Sequence, residues 1–378
     1  MNEIASVPSL FPSRPALRRL RRGLLSLLLA GGLAACSGDD EPVLPPAADE
    51  DLQEVTLYLS LPAPADSVSK RLGDPGSAHE ETDDWNTLVL FIVYENPEGE
   101  QKEVRCETLT QEEYDALQPM APRSPFKRYT LTAPAGTVYF YGLTYYDPEA
   151  AETAMTGATD LKKAIGQCTT QADVEALTIS NYYPYAVGAT QTDVSKFCSV
   201  ASGYYQDENG GFTYEINYSN IPTEPNEIPT LTLRRLAAKI DVQWDAEGAY
   251  SGGKYTDARV ESFQFYGSAE GKVFPELPQS GYTPVEKDWD FYNISPISQR
   301  NGRVYHYTFP DGTTKPQVTF SITTTTATSE TTTKRDYTLN WQQPLSRATW
   351  YKVNATVNGN SSSGTISDSE WVDINAGN

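Results

Sequence analysis

The sequence predicts a mainly β protein, two β-sandwich domains in tandem with a few short helices, and three observations lead there. Period-two alternation of apolar and polar residues dominates the chain beyond residue 50. Tyrosine is unusually common at 24 residues and threonine is abundant, a composition that suits pleated, half-buried surfaces. One polar, Pro-rich stretch, Pro222-Thr-Glu-Pro-Asn-Glu-Ile-Pro229, interrupts the pattern and no periodic run crosses it. The expected division is a leader at 1–35, a tether at 36–51, an N-terminal sandwich at 52–225 and a C-terminal sandwich at 226–378.

The N-terminus sets the compartment. Arg14, Arg18, Arg19, Arg21 and Arg22 precede an apolar run, Leu24 to Leu33, that is too short to span a bilayer as a helix. This is the pattern of a signal peptide. It ends in Leu33-Ala34-Ala35-Cys36, which resembles the bacterial lipobox, where the chain is cut between Ala35 and Cys36 and the Cys36 thiol carries lipid. Ser37-Gly38-Asp39-Asp40-Glu41 then resembles the surface-export signal of Bacteroidota lipoproteins. The expected location is the outer membrane, on its exposed side.

Charge narrows the partners. The 378 residues carry a net charge of −21, and the leader holds five Arg and one Glu, so the remaining chain stands at −25. A chain of that sign repels nucleic acid and anionic headgroups alike. With Cys36 lipidated, Cys106, Cys168 and Cys198 allow at most one disulfide, and their spacing matches no zinc site.

The strands follow in order. In EVTLYLSL, Val55, Leu57, Leu59 and Leu61 share one face, the pattern of a half-buried strand, expected at a sheet edge with one ladder. TLVLFIVY, Thr87 to Tyr94, is apolar throughout and reads as a central strand covered on both sides. Further runs predict strands at 126–132, 137–145, 212–218, 259–266, 303–309, 317–323, 336–341 and 350–357. From Leu231 to Trp244 one long strand is expected, with a phase slip at Arg234-Arg235 absorbed by a β-bulge. Thr323 to Thr333 (TTTTATSETTT) reads as a hairpin with polar faces. Thr110-Gln-Glu-Glu predicts a capped helix start, and Asp160 to Ile165 and Thr192 to Cys198 are further helical candidates.

Catalytic marks are scarce. There is no HExxH, no GxSxG and no phosphate-binding glycine loop. His79 lies in an acidic loop, and His306 sits inside an alternating strand as a filling residue. Asp and Glu are so common that no pair of them is informative for glycoside hydrolysis. Asp207 to Gly211 reads as a turn rather than a calcium loop. Tyr182-Tyr183-Pro184-Tyr185 and Tyr204-Tyr205 are candidates for stacking on sugars. The expectation is a non-enzyme without metal or cofactor.

Several stretches converge on one family. The leader and lipobox, EVTLYLSL, the basic loop SKRLGDPG, TLVLFIVY, AGTVYFYGLTYYD, NYYPYAVGAT, TLRRLAAKIDVQW and RATWYKVNATVNG together resemble the Bacteroidota fimbrillins, subunits of type V pili. The resemblance implies two transthyretin-like Greek-key sandwiches and assembly by donor-strand exchange. It also implies that an Arg-specific protease cuts polymerising subunits after the first strand, here between Arg71 and Leu72, removing Val55, Leu57, Leu59 and Leu61 from the fold. The C-terminal strand of a neighbouring subunit then fills the groove. Candidate donor residues are Tyr351, Val353 and Val357, then Ile366, Val372 and Ile374, although Asp368 and Glu370 interrupt the second set. Stalk, tip and anchor roles all remain open. The partners implied are other pilus subunits, the outer membrane through the lipid, and protein or glycan receptors. A monomeric glycan-binding surface lipoprotein of a polysaccharide-uptake system is the alternative.

Overall fold

Each of the ten expected strand runs forms a strand; nine alternate, burying one face while the other meets water, and TLVLFIVY is apolar on both. The computed structural model describes residues 52–61, 85–95, 102–122, 124–147, 156–180, 199–216, 228–249, 255–277, 281–290, 300–358 and 361–370. The first half holds β1 (Leu52–Ser60), β2 (Thr87–Glu95), β3 (Lys102–Thr110), α1 (Gln111–Asp115), β4 (Lys127–Pro134) and β5 (Gly136–Tyr145). It continues with α2 (Thr156–Ile165), α3 (Gln171–Glu175), β6 (Thr178–Ser180), β7 (Ala201–Tyr204), β8 (Tyr214–Ile216), β9 (Thr230–Thr232) and β10 (Arg234–Arg235). The second half is β11 (Ala238–Asp245), β12 (Tyr255–Ser268), β13 (Glu270–Lys272), β14 (Glu286–Asp290), β15 (Asn301–Thr308), β16 (Gln317–Thr326), β17 (Thr332–Asn340), β18 (Thr349–Asn358) and β19 (Ser361–Glu370).

Two sheets make the first sandwich, one in the order β4-β1-β9 and one in the order β10-β7-β5-β2-β3, with β8 also paired to β5. Between them lie Val55, Leu57, Leu59, Leu88, Leu90, Ile92, Leu131, Phe140, Leu231 and Leu233. The other face of β2, Val89, Phe91 and Val93, is equally buried, packed with Leu161, Val174, Phe274 and Phe309 in a second core. The apolar run Thr87–Tyr94 is thus covered on both sides, as its lack of alternation predicts.

The second sandwich stacks β15-β11-β18-β19 on β14-β12-β16-β17. Its core contains Ile240, Val242, Phe263, Phe265, Val318, Phe320, Trp341, Tyr351 and Val353. The threonine-rich stretch is a hairpin, with Thr324 opposite Thr333 and Thr325 opposite Thr332.

The junction between the sandwiches is built, not loose. β6 pairs antiparallel with β13, and the Val273 N–H donates to the Leu177 carbonyl at 2.9 Å. Arg347, from the loop before β18, donates to the Ser202 carbonyl at 2.8 Å and to its hydroxyl at 2.9 Å, and reaches Glu276 at 2.6 Å. A guanidinium held by three acceptors while 7 % exposed fixes two elements at once.

Two expectations are corrected. The long strand over Leu231 to Trp244 is three separate strands: β9 joins β1, β10 joins β7, and β11 joins β15 and β18. The phase slip at Arg234-Arg235 is where the chain passes from sheet to sheet, not a bulge. It brings Leu233 into the first core, Leu236 and Ala237 into the second, and Ala238 into the third. The first strand, taken as an edge from its one apolar face, is flanked on both sides.

The helices begin as capping chemistry dictates. Thr110 and Glu113 form a reciprocal capping box on α1, and Thr170 and Asp173 form the same box on α3. The candidate at Thr192 to Cys198 lies outside the described residues.

Candidate functional site

The feature that the sequence singles out is β1, and the structure makes it the middle of its sheet. It runs antiparallel to β4 from Leu52 opposite Pro134 to Leu59 opposite Lys127. It runs parallel to β9, with Tyr58 opposite Thr230, Leu59 opposite Leu231 and Ser60 opposite Thr232. The Tyr58 N–H donates to the Pro229 carbonyl at 2.9 Å, and the Leu233 N–H donates to the Ser60 carbonyl at 2.8 Å. Without β1, two rows of N–H and C=O groups would face each other across one gap.

Side chains follow the pleat. Leu57 and Leu59 are fully buried, Val55 nearly so, and Leu61 packs partly buried on the same core. At about 1.5–3 kcal/mol for each fully buried aliphatic side chain, Val55, Leu57 and Leu59 together contribute on the order of 5–9 kcal/mol. The floor of the groove is Leu88, Leu90 and Ile92 of β2 with Phe140 of β5.

The rim is closed on one side. Arg105 of β3 donates to the Thr132 carbonyl of β4 at 2.8 Å and pairs with Glu107 at 2.5 Å, and Glu107 accepts from the Tyr129 hydroxyl at 2.6 Å. Burial, with Glu107 beside it, pushes the Tyr129 hydroxyl far above its usual range, so it stays a donor. This seam joins the outer strands of the two sheets and keeps β4 in place independently of β1. On the other side β7 presses on β9: a Cβ placed on Gly203 would lie 2.1 Å from the Thr232 carbonyl oxygen, so glycine is required there.

The remaining candidates are scattered. Ala35, Cys36, Arg71, Leu72, Val372 and Ile374 lie outside the described residues. Tyr351 and Val353 belong to β18, an inner strand with β11 on one side and β19 on the other, and both are buried in the core of the second sandwich. Val357 stands opposite Ser362, and Ile366, in β19, stands opposite Val353. Among the described residues, the first and last strands belong to different sheets.

The other singled-out residues take structural places. Tyr205 meets Tyr214 edge to face at 5.8 Å, and Tyr204 meets Phe212 at 5.4 Å. Asp207 accepts from the Asn209 and Gly211 N–H groups at 2.8 and 2.7 Å, which closes the expected turn. His306 is buried between Phe265, at 4.3 Å, and Trp289, at 5.7 Å. Burial drives its pKa down to about 3, so it is neutral at physiological pH. Cys106 and Cys168 are both free thiols. Among the described residues, no group of three or more His, Cys, Asp or Glu could hold a metal.

What the sequence missed is the partner of β1. Leu231 and Leu233 alternate with threonine and are readable as a strand, but nothing local says that this strand lies alongside Tyr58–Ser60. Edge strand β3 was also missed, because Lys102, Glu103, Arg105 and Glu107 leave it without an apolar face.

No family model and no curated protein matches the chain. Solved structures do match, and they are fimbrial and candidate cell adhesion proteins of Bacteroidota. A candidate cell adhesion protein from Parabacteroides distasonis is similar at 11 % identity over 85 % of this chain and 99 % of its own, with a TM-score of 0.48. The tip fimbrial protein Mfa3 from Porphyromonas gingivalis is similar at 10 % identity over 84 % of this chain and all of its own (100 %), with a TM-score of 0.44. A fimbrial assembly protein from Parabacteroides distasonis is similar at 11 % identity over 84 % and 96 %, with a TM-score of 0.39. Likeness at this level concerns chain path and does not by itself assign a role.

Proposed function

We propose that the protein is a structural subunit of a type V pilus, carried to the outer-membrane surface as a lipoprotein through Cys36 and assembled by donor-strand exchange in the service of adhesion. One observation carries this reading: β1 is a central strand with two ladders and a fully apolar inner face, joined to the rest of the fold only through residues 62–84, which contain Lys70-Arg71. A cut after Arg71 leaves β1 held by non-covalent contacts alone. Its departure opens a groove that another strand fills by β-augmentation, alternate side chains entering the places of Val55, Leu57 and Leu59.

On the donor side, Tyr351, Val353 and Val357 stand in an inner strand whose two ladders would first have to open. β19, Ser361–Glu370, is at a sheet edge and is the better donor, and in the sequence Ile366 is in phase with Val372 and Ile374, with Asp368 and Glu370 between them. In this role the chain is not an enzyme.

The test is direct. Purified precursor is exposed to an Arg-specific protease, the new N-terminus is sequenced, and assembly is followed on gels. A cut giving Leu72 as the first residue, followed by a ladder of oligomers, is expected for a subunit that polymerises. A cut chain that stays monomeric under the same conditions overturns strand exchange and leaves the glycan-binding lipoprotein. Protein recovered from cells with Cys36 still joined to the folded body identifies an anchor.

A further inference from the structure

The outer face of the second sandwich carries a small polar depression. On the sheet β14-β12-β16-β17, the side of β12 away from the phenylalanine core presents Gln264 and Tyr266. Register sets Tyr266 directly between Asp288 of β14 and Gln317 of β16, and sets Gln264 beside Thr319. These five side chains line an open depression of about 220 Å³. Tyr266 is half-exposed, Asp288 and Gln317 are exposed, and the Tyr266 hydroxyl donates to the Glu286 carboxylate, which fixes the angle of the ring. Thr319 shares a 2.9 Å hydroxyl contact with Thr338, extending the polar row onto β17.

The chemistry of this lining selects its ligand. Gln264 and Gln317 each offer donors and an acceptor, Thr319 offers both, and Asp288 accepts only. That mixture suits a hydroxyl, which both gives and takes a hydrogen bond. It does not suit a phosphate or carboxylate, because no cation lines the depression and Asp288 and Glu286 repel anions in a chain of net charge −21. The half-exposed Tyr266 ring amid such groups offers an apolar face for the C–H side of a sugar. The volume falls below the roughly 300 Å³ at which drug-sized pockets begin, as expected for one or two rings lying across an open face. All five residues stand on hydrogen-bonded strands, so their spacing is preset rather than assembled on binding.

We infer that this face binds neutral oligosaccharide, with the Tyr266 ring as platform and Gln264, Asp288, Gln317 and Thr319 as the hydroxyl-reading groups. The site lies on a different sandwich from the β1 groove and stands whether or not the chain polymerises.

The experiment uses the full chain without its leader and titrates it calorimetrically with maltohexaose, cellohexaose, mannohexaose and N-acetylchitohexaose, with oligogalacturonate as an acidic control. At least one neutral hexasaccharide binds, Tyr266→Ala weakens it by about tenfold or more, and Tyr266→Phe retains it. Gln317→Ala and Asp288→Asn, both at exposed positions, weaken the same ligand and serve as the readout if Tyr266→Ala fails to fold. Binding of no neutral probe, binding indifferent to these substitutions, or preference for oligogalacturonate overturns the assignment.

Discussion

The two sandwiches are held together by different means. The first is closed by aliphatic packing around β1, with Leu57, Leu59, Leu88, Leu90 and Ile92 buried in that core. The second buries specific polar groups. Asp241, fully buried, accepts from Arg303 at 2.7 and 2.5 Å and from the Trp350 indole at 3.2 Å. Asp311, 2 % exposed, accepts from the Thr313 and Thr314 N–H groups at 2.7 Å each. Non-directional packing tolerates a substitute strand of similar pattern, whereas buried charge demands its own partner. On this contrast, the first sandwich is the one expected to accept a substitute strand, if strand exchange operates as proposed.

That contrast is most exposed to deletion of residues 52–61. Loss of β1 removes on the order of 5–9 kcal/mol of burial and two ladders, comparable to the whole stability of a domain, so the first sandwich should unfold or aggregate. A synthetic EVTLYLSL peptide added during refolding should restore soluble protein; circular dichroism and gel filtration read the result. Restoration by the peptide supports a refillable groove, and failure of the deleted chain to respond breaks the comparison.

Next in size is the second sandwich. Asp241→Ala leaves Arg303 without its buried carboxylate and should cost about 3–5 kcal/mol, read by urea unfolding. Leu57→Ala in the first sandwich should cost about 2–5 kcal/mol. Added EVTLYLSL should relieve the loss in Leu57→Ala but not in Asp241→Ala.

Acid should separate the halves. His306 is neutral when folded, with a pKa near 3, and takes a proton near 6.5 once unfolded. The unfolded state then binds the extra proton, so this contribution is intact above pH about 6.5 and falls by up to about 1.4 kcal/mol per pH unit between there and about 3. Burial alone would raise the Asp311 pKa, but the hydrogen bonds from Thr314 and Thr313 outweigh it and lower the value, so its share is lost below the usual carboxylate range. Fluorescence of Trp289 and Trp341 in the second sandwich should change at higher pH than that of Trp85 in the first, and His306→Phe should narrow the gap.

The smallest expected effect is Gly203→Ala, which pushes its new Cβ into the Thr232 carbonyl and should cost about 1–3 kcal/mol while leaving the second sandwich unchanged.

Much of this was readable beforehand, for physical reasons. TLVLFIVY could only be a strand covered twice, and Thr110-Gln-Glu-Glu could only start a helix. Thr170-Gln-Ala-Asp carried the same capping signal and would have given α3. Periodicity, however, reports which face of a strand is apolar and not who its neighbours are. It therefore could not say that β1 is central, nor distinguish a bulge at Arg234-Arg235 from a passage between sheets. The groove's aliphatic lining was legible; its second ladder, supplied by Thr230–Thr232 far along the chain, was not.

Residues 233–237 have a mechanical consequence. Because β9 lies parallel to β1 and leads within six residues into β11, itself parallel to β18, tension along the chain reaches both pairs lengthwise. Parallel strands loaded end to end resist in shear, all their bonds straining at once, where a ladder pulled from one side opens bond by bond. Arg347 and the β6–β13 pair brace the same joint. Extension of such a chain would load the ladders of each sandwich before it loads the connection between them.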